Sequence, residues 1–134
     1  MVSKALLDAF ETARYQVVEP EFLIQIGKRN LEVDQLLQNH GRRTWAFITP
    51  YNPGSKTISE EENQSRFSSL RKDVEGYISF EGSGGGQGPD WPLEKSLLIL
   101  GISLSEAKKI GRLYGQDAIV FGRINQIAKI AVLI

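Results

Sequence analysis

The chain has no cysteine, and that absence removes several chemistries at once. Disulfides, a thiolate nucleophile and cysteine-based zinc or iron–sulfur sites are excluded. Histidine is nearly absent as well, since His40 stands alone among 134 residues. A two-histidine metal site cannot be built, and a Ser-His-Asp triad would have only that imidazole to use. A place at the end of a helix, favoured by the carbonyl dipole, is the simpler reading of His40. Charge of one sign is also missing, because sixteen basic and sixteen acidic residues cancel. Non-specific nucleic-acid binding needs surplus Lys and Arg, so this balance argues against a nucleic-acid partner. No stretch approaches ~20 apolar residues, and the segment from Met1 to Asp8 lacks a signal-peptide core. The expectation is therefore a cytoplasmic protein with no membrane partner, no metal site and no recognisable cofactor motif.

What is present is globular. Hydrophobic residues at 41% and charged residues at 24% suit one ordinary folded domain over residues 1–134. Leu6, Ala9, Phe10 and Ala13 recur at helical spacing over residues 3–13. Tyr15 to Val18 and Phe22 to Ile26 flank Glu19-Pro20-Glu21 and predict an antiparallel hairpin. Asn30 and Gly41 bracket a second helix as N-cap and stop. A strand follows at 45–49, then a helix opened by the capping box of Ser59 and Glu62. Tyr77 to Phe80 and Leu97 to Leu100 read as strands, the second buried on both faces. Ser103 and Glu106 form another capping box, with Ala107, Ile110, Gly111 and Tyr114 inward and Gly115 as the stop. A terminal hairpin turns near Asn125. The order αββαβαββαββ predicts a single α+β domain, a mixed sheet with about three to four packed helices.

One stretch draws attention as a site. The apolar run Trp45-Ala46-Phe47-Ile48 ends in Thr49-Pro50-Tyr51-Asn52-Pro53-Gly54-Ser55, ahead of the helix beginning at Ser59. A strand that delivers polar residues to a loop before a helix is a common way to build a site in α/β proteins. The competing reading is a plain turn, with the Asn52 side chain capping backbone. Tracing the helix stripe of Phe67, Leu70 and Val74 back one turn reaches Asn63, an inward amide that needs partners in the loop. Elsewhere, Gly82-Ser83-Gly84-Gly85-Gly86-Gln87-Gly88-Pro89 fails both the Walker A and the Gly-x-Gly-x-x-Gly patterns. It predicts no regular element, but a flexible surface connection or movable cover. Alternation places Glu94, Ser96 and Leu98 on one strand face beside Trp91. Such a carboxylate serves as a general base or an amine anchor, or merely pairs with a surface cation. Gln116, between Gly115 and the strand at 118, either reaches a ligand or ties a chain reversal together.

Taken together, these residues resemble a known pattern. Ala46-Phe47-Ile48-Thr49 with Asn52-Pro53 and Ser55, Glu62-Asn63, Trp91-Pro92 with Glu94 and Ser96 before Leu97-Leu98, and Gly115-Gln116 with Ala118 are similar to the bacterial domain-of-unknown-function family 3293. The resemblance extends over roughly residues 14–130. It departs at Pro50-Tyr51, where Ala-Trp is usual, and at Asp117, where Asn is more frequent. It implies no activity, but it implies that Asn52, Ser55, Asn63, Trp91, Glu94, Ser96 and Gln116 form a recurring set. Polar residues from loops and element ends point to a shared pocket rather than to core packing.

Two functional expectations follow. In the first, those seven residues wall a pocket for a small polar metabolite or nucleotide-like ligand, with 82–89 as its cover. No reaction class is assigned. Were the site catalytic, Glu94 would be the general base, and Asn52 or Gln116 would polarise a carbonyl or hold an anion. In the second, the polar residues are a buried structural network, and the apolar tail Ile130 to Ile134 serves as an interaction or homodimer surface.

Overall fold

The structure, a computed structural model, describes residues 3–85 and 93–134. Its elements follow the expected order. They are α1 (Lys4–Thr12), β1 (Arg14–Val17), β2 (Phe22–Ile24), α2 (Leu31–His40), β3 (Thr44–Ile48), α3 (Glu60–Asp73), β4 (Ile78–Gly85), β5 (Glu94–Leu100), α4 (Leu104–Leu113), β6 (Ala118–Arg123) and β7 (Lys129–Val132). The helix starts are decided locally. Ser3, Asn30, Ser59 and Ser103 each accept a hydrogen bond from the backbone N–H three residues on. The stops are local too. Gly41 and Gly115 take left-handed backbone, and the N–H groups of Gly115 and Gln116 close α4 onto the carbonyls of Arg112 and Gly111.

The seven strands form one sheet in the order β2-β1-β4-β5-β3-β6-β7, giving the single α+β domain expected, with four α-helices among the described residues. Every pairing between these strands is antiparallel. Parallel pairing, and so the mixed character, is confined to the isolated bridge between Ile26 and Ala128. That bridge curls the sheet, because it joins the chain after β2 to the chain before β7, at opposite edges. Asp34 secures the junction by accepting from Arg29 Nε at 2.9 Å and from the Asn125 backbone N–H at 2.9 Å.

Both faces of the sheet are covered, which is why β5 reads as an unbroken apolar run. Ala46, Ile48, Leu97, Ile99, Ile119 and Phe121 face α3 and α4. Their neighbours Trp45, Phe47, Leu98, Leu100 and Val120 face α2 and the β1–β2 hairpin. The alternation is the period of two that a pleated strand imposes. No helix among the described residues is long and apolar enough to cross a membrane. At the edge, the apolar tail divides: Leu133 is buried over Gly111, whereas Val132 and Ile134 are exposed.

One expectation is overturned. Residues 82–85 belong to β4, all paired with β1 on one side and 82–84 with β5 on the other, rather than to an irregular segment. Gly82 is there for space. A Cβ on Gly82 would lie 2.5 Å from the Gln16 carbonyl oxygen and 2.8 Å from the Phe47 ring. Residues 86–89, the rest of the proposed cover, lie outside the described residues. Gly82→Ala is therefore expected to cost about 1–3 kcal/mol through overpacking. Gly84→Ala, whose nearest contact would be 3.5 Å, serves as the tolerated control. Urea denaturation of the two variants checks this, and equal midpoints would refute the steric account.

Candidate functional site

At the end of β3 the chain turns through a loop in which nearly every polar group is assigned. Thr49 Oγ1 donates to the Lys95 carbonyl at 2.7 Å and accepts the Tyr51 N–H at 3.1 Å. Arg66 of α3 donates through Nε to the Pro50 carbonyl at 2.7 Å and through Nη2 to the Tyr114 carbonyl. Tyr51 sends its ring into the core under α3 and donates its hydroxyl to Glu60 at 2.7 Å. Burial, reinforced by Glu60, pushes that phenol up to about 12, so it acts as a neutral donor at physiological pH.

Asn52 is the corner of the loop. Its backbone is left-handed, at φ 48°, a region that Asn tolerates better than most residues. The turn reading of the segment is correct as far as it goes, since Pro53–Ser55 forms a single 3-10 turn. The Asn52 side chain, however, makes no cap bond to that turn and reaches past it. Its Oδ1 accepts from the Ile58 N–H at 3.1 Å and from Asn63 Nδ2 at 2.9 Å, while its own N–H donates to Asn63 Oδ1 at 2.9 Å. Asn63, buried on the first turn of α3, thus finds its partners in the loop, as its position in the helix stripe requires. The remaining Asn52 group, Nδ2, donates to Glu94 Oε2 at 2.8 Å.

The opposite wall comes from the end of α4 and the start of β5. The Gly54 N–H donates to the Gly115 carbonyl at 2.7 Å, tying the loop to the helix stop. Ser55 Oγ donates to Asp117 Oδ2 at 3.0 Å. Gln116 donates through Nε2 to the carbonyls of Tyr51 and Tyr114 at 3.0 and 3.3 Å. Those bonds make it the tie of a chain reversal, and its amide donor is already engaged. Ser96 is buried and donates to the Glu94 carbonyl at 2.9 Å. Among the described residues Glu94 is held by an amide, not by a surface cation. Burial raises its carboxyl above the usual range, and the Asn52 bond only partly offsets that rise. Burial also raises the Tyr15 phenol, with the nearby Glu94 charge adding to the effect.

These groups surround a cavity of about 260 Å³. Asn52, Ser55, Glu94, Ser96 and Gln116 all line it, so the fold brings together five of the seven predicted residues from three separate stretches of chain. Asn63 stands behind the wall and holds Asn52. Trp91 lies outside the described residues. Sequence reasoning missed Thr57 and Asp117 on the polar side, and Leu6, Phe10, Tyr15 and Phe47 on the apolar side. For Phe47 a signal existed, since strand alternation puts it on the same face as Thr49, opposite Ala46 and Ile48. Nothing in the spacing of Leu6 and Phe10 says that α1 lies over this cavity. Among the described residues no group of three or more His, Asp or Glu side chains is arranged to hold a metal ion.

A family model described as "Protein of unknown function (DUF3293)" matches residues 48–119, more than half of the chain. The chain belongs to this family. No curated protein and no solved structure matches it. All seven predicted residues fall inside the DUF3293 match, as do Thr49, Thr57 and Asp117. The apolar wall from α1 and β1 comes from outside it. The DUF3293 segment therefore supplies the polar groups of the cavity, and the N-terminal elements close its other side.

Two outcomes are expected from this geometry. Asn63→Ala leaves the Asn52 N–H without its acceptor in a buried setting and should destabilise the fold by about 1–3 kcal/mol in urea denaturation. The second concerns pH. Folded Glu94 keeps its proton to a higher pH than the unfolded chain does. Its charge thus costs nothing below the ordinary value of 4.5 and costs progressively more as pH rises, until the folded carboxyl has itself ionised. Glu94→Gln removes that titration and keeps an acceptor for Asn52. The Tm of Glu94→Gln should gain on the parent from about pH 4.5 upward and then level off. A gap that stays constant or shrinks would show that Glu94 is not strained by burial.

Proposed function

We propose that the protein binds a small molecule in this cavity, with a polar head toward Asn52 and Glu94 and an apolar body toward Phe10 and Phe47. The observation that carries the reading is convergence. Polar side chains from the 49–57 loop, the start of β5 and the end of α4 face one concave space whose other wall is apolar. A few polar groups set into an apolar-walled cleft is the usual composition of a ligand site. Glu94 adds weight, because a partly buried carboxylate with a single neutral partner among the described residues is costly to keep for packing alone. Of the two ligand types expected, a small polar metabolite is better supported than a nucleotide. Among the described lining residues there is no Lys or Arg to receive a phosphate.

The structural-network alternative accounts for Asn63, whose amide is engaged with the loop, and for the Gln116 donor, which is engaged with the carbonyls of Tyr51 and Tyr114. It does not account for two carboxylate residues, Glu94 and Asp117, on the wall of one cavity. Self-association through β7 has weaker support, since Leu133 is buried and its N–H is bonded to the Asp117 carbonyl at 2.9 Å.

Gly84 allows a test that leaves the polar network untouched. A side chain there would enter the cavity, with its Cβ in ordinary contact with Tyr15, Phe47 and Ser96. Gly84→Val should fold like the parent yet abolish the thermal shift that ligands from a small-metabolite library give to the parent protein. Shifts of equal size in parent and variant would place the ligand elsewhere, and a library with no hits would count against the reading.

A further inference from the structure

We propose that the ligand is a small primary amine with a compact apolar body, its ammonium group seated against Glu94 and Asp117. The proposal rests on the pocket reading above and narrows it to one chemical class. The charge of the lining carries it. The described wall holds two carboxylates and no cation. Each carboxylate has one neutral donor among the described residues, Asn52 at 2.8 Å for Glu94 and Ser55 at 3.0 Å for Asp117. Glu94 is partly buried, and one amide donor does not balance a full charge withdrawn from bulk water, while Asp117, whose bond to Ser55 is exposed, adds a second carboxylate at the wall. An ammonium group supplies both the opposite charge and three donors. A phosphate or carboxylate ligand would instead meet like charge, which works against its binding.

The opposite wall fits the rest of such a molecule. Tyr15 and Phe47 pack edge to face, with centroids 5.7 Å apart and planes at 76°. Phe10 joins them at the cavity. Aromatic faces accept an apolar body and attract a nearby cation. Size limits the class further. About 260 Å³ lies just under the roughly 300–1,000 Å³ of sites for drug-sized molecules. A single-ring amine suits that space better than a nucleotide or an extended polyamine.

Calorimetric titration with phenethylamine, phenethyl alcohol and hydrocinnamate keeps the ring constant and changes the head group from positive to neutral to negative. Phenethylamine should bind about tenfold or more tightly than the alcohol, as a charge-assisted hydrogen bond implies, with hydrocinnamate weakest. Glu94→Gln and Asp117→Asn, each checked for native circular dichroism, should bring the amine-to-alcohol ratio toward one. The proposal is overturned if the alcohol or hydrocinnamate matches the amine, or if the preference survives the double substitution. It is also overturned if none of the three binds while library ligands sensitive to Gly84→Val do, and in that case the pocket reading stands. If no ligand of any class is sensitive to Gly84→Val, both fall.

Discussion

The reciprocal amide pair of Asn52 and Asn63 is the constraint on which the site depends. Asn63 accepts the Asn52 backbone N–H on its side-chain carbonyl and donates its amide N–H to the Asn52 side chain, so the left-handed corner of the loop is held at both ends. Once that corner is set, Asn52 Nδ2 can point only toward β5, where Glu94 accepts it. The loop, the helix that follows it and the distant strand β5 are thereby joined through one side chain. In a low-dielectric setting such a network is strong when complete and costly when any member is missing.

The second requirement is room, and the sheet provides it through what β4 lacks. Gly82 makes space for the Phe47 ring, while Gly84 and Gly85 border the cavity without side chains. The curl of the sheet, fastened by the Ile26–Ala128 bridge and by Asp34, closes the two edges around α2. The aromatic wall formed by Tyr15 and Phe47 is thus continuous with the second core cluster. A packed core on one side and satisfied loop groups on the other leave Glu94 and Asp117 as the charged groups that line the cavity among the described residues.

Much of this was legible beforehand, and the reasons are local. Capping boxes announced α3 and α4, because a serine hydroxyl that accepts the backbone N–H three residues on satisfies a donor left free only at a helix start. Asn63 was legible because an amide on an apolar stripe has to find partners. Glu94 and Ser96 could be placed on one face because strand periodicity leaves no choice. The glycines of β4 were misread, since glycine signals irregular backbone unless a neighbouring ring is known to need its missing Cβ. Asp117 was visible only as a departure from the family pattern, and its role depends on Ser55, which is 62 residues away in the chain.

By itself, the sequence determined the order and kind of the elements, the exclusion of cysteine chemistry, the family, and the identity of most polar residues that line the cavity. Those properties rest on interactions within a turn or a strand, or on composition, and so can be read along the chain. Tertiary structure alone decided which residues became neighbours. It engaged the Gln116 donor with two carbonyls, set α1 over the cavity and brought Asp117 beside the polar end. It also left Glu94, among the described residues, with one neutral partner in a partly buried place. These outcomes follow from the curl of the sheet and from long-range packing, which no short spacing in the sequence encodes.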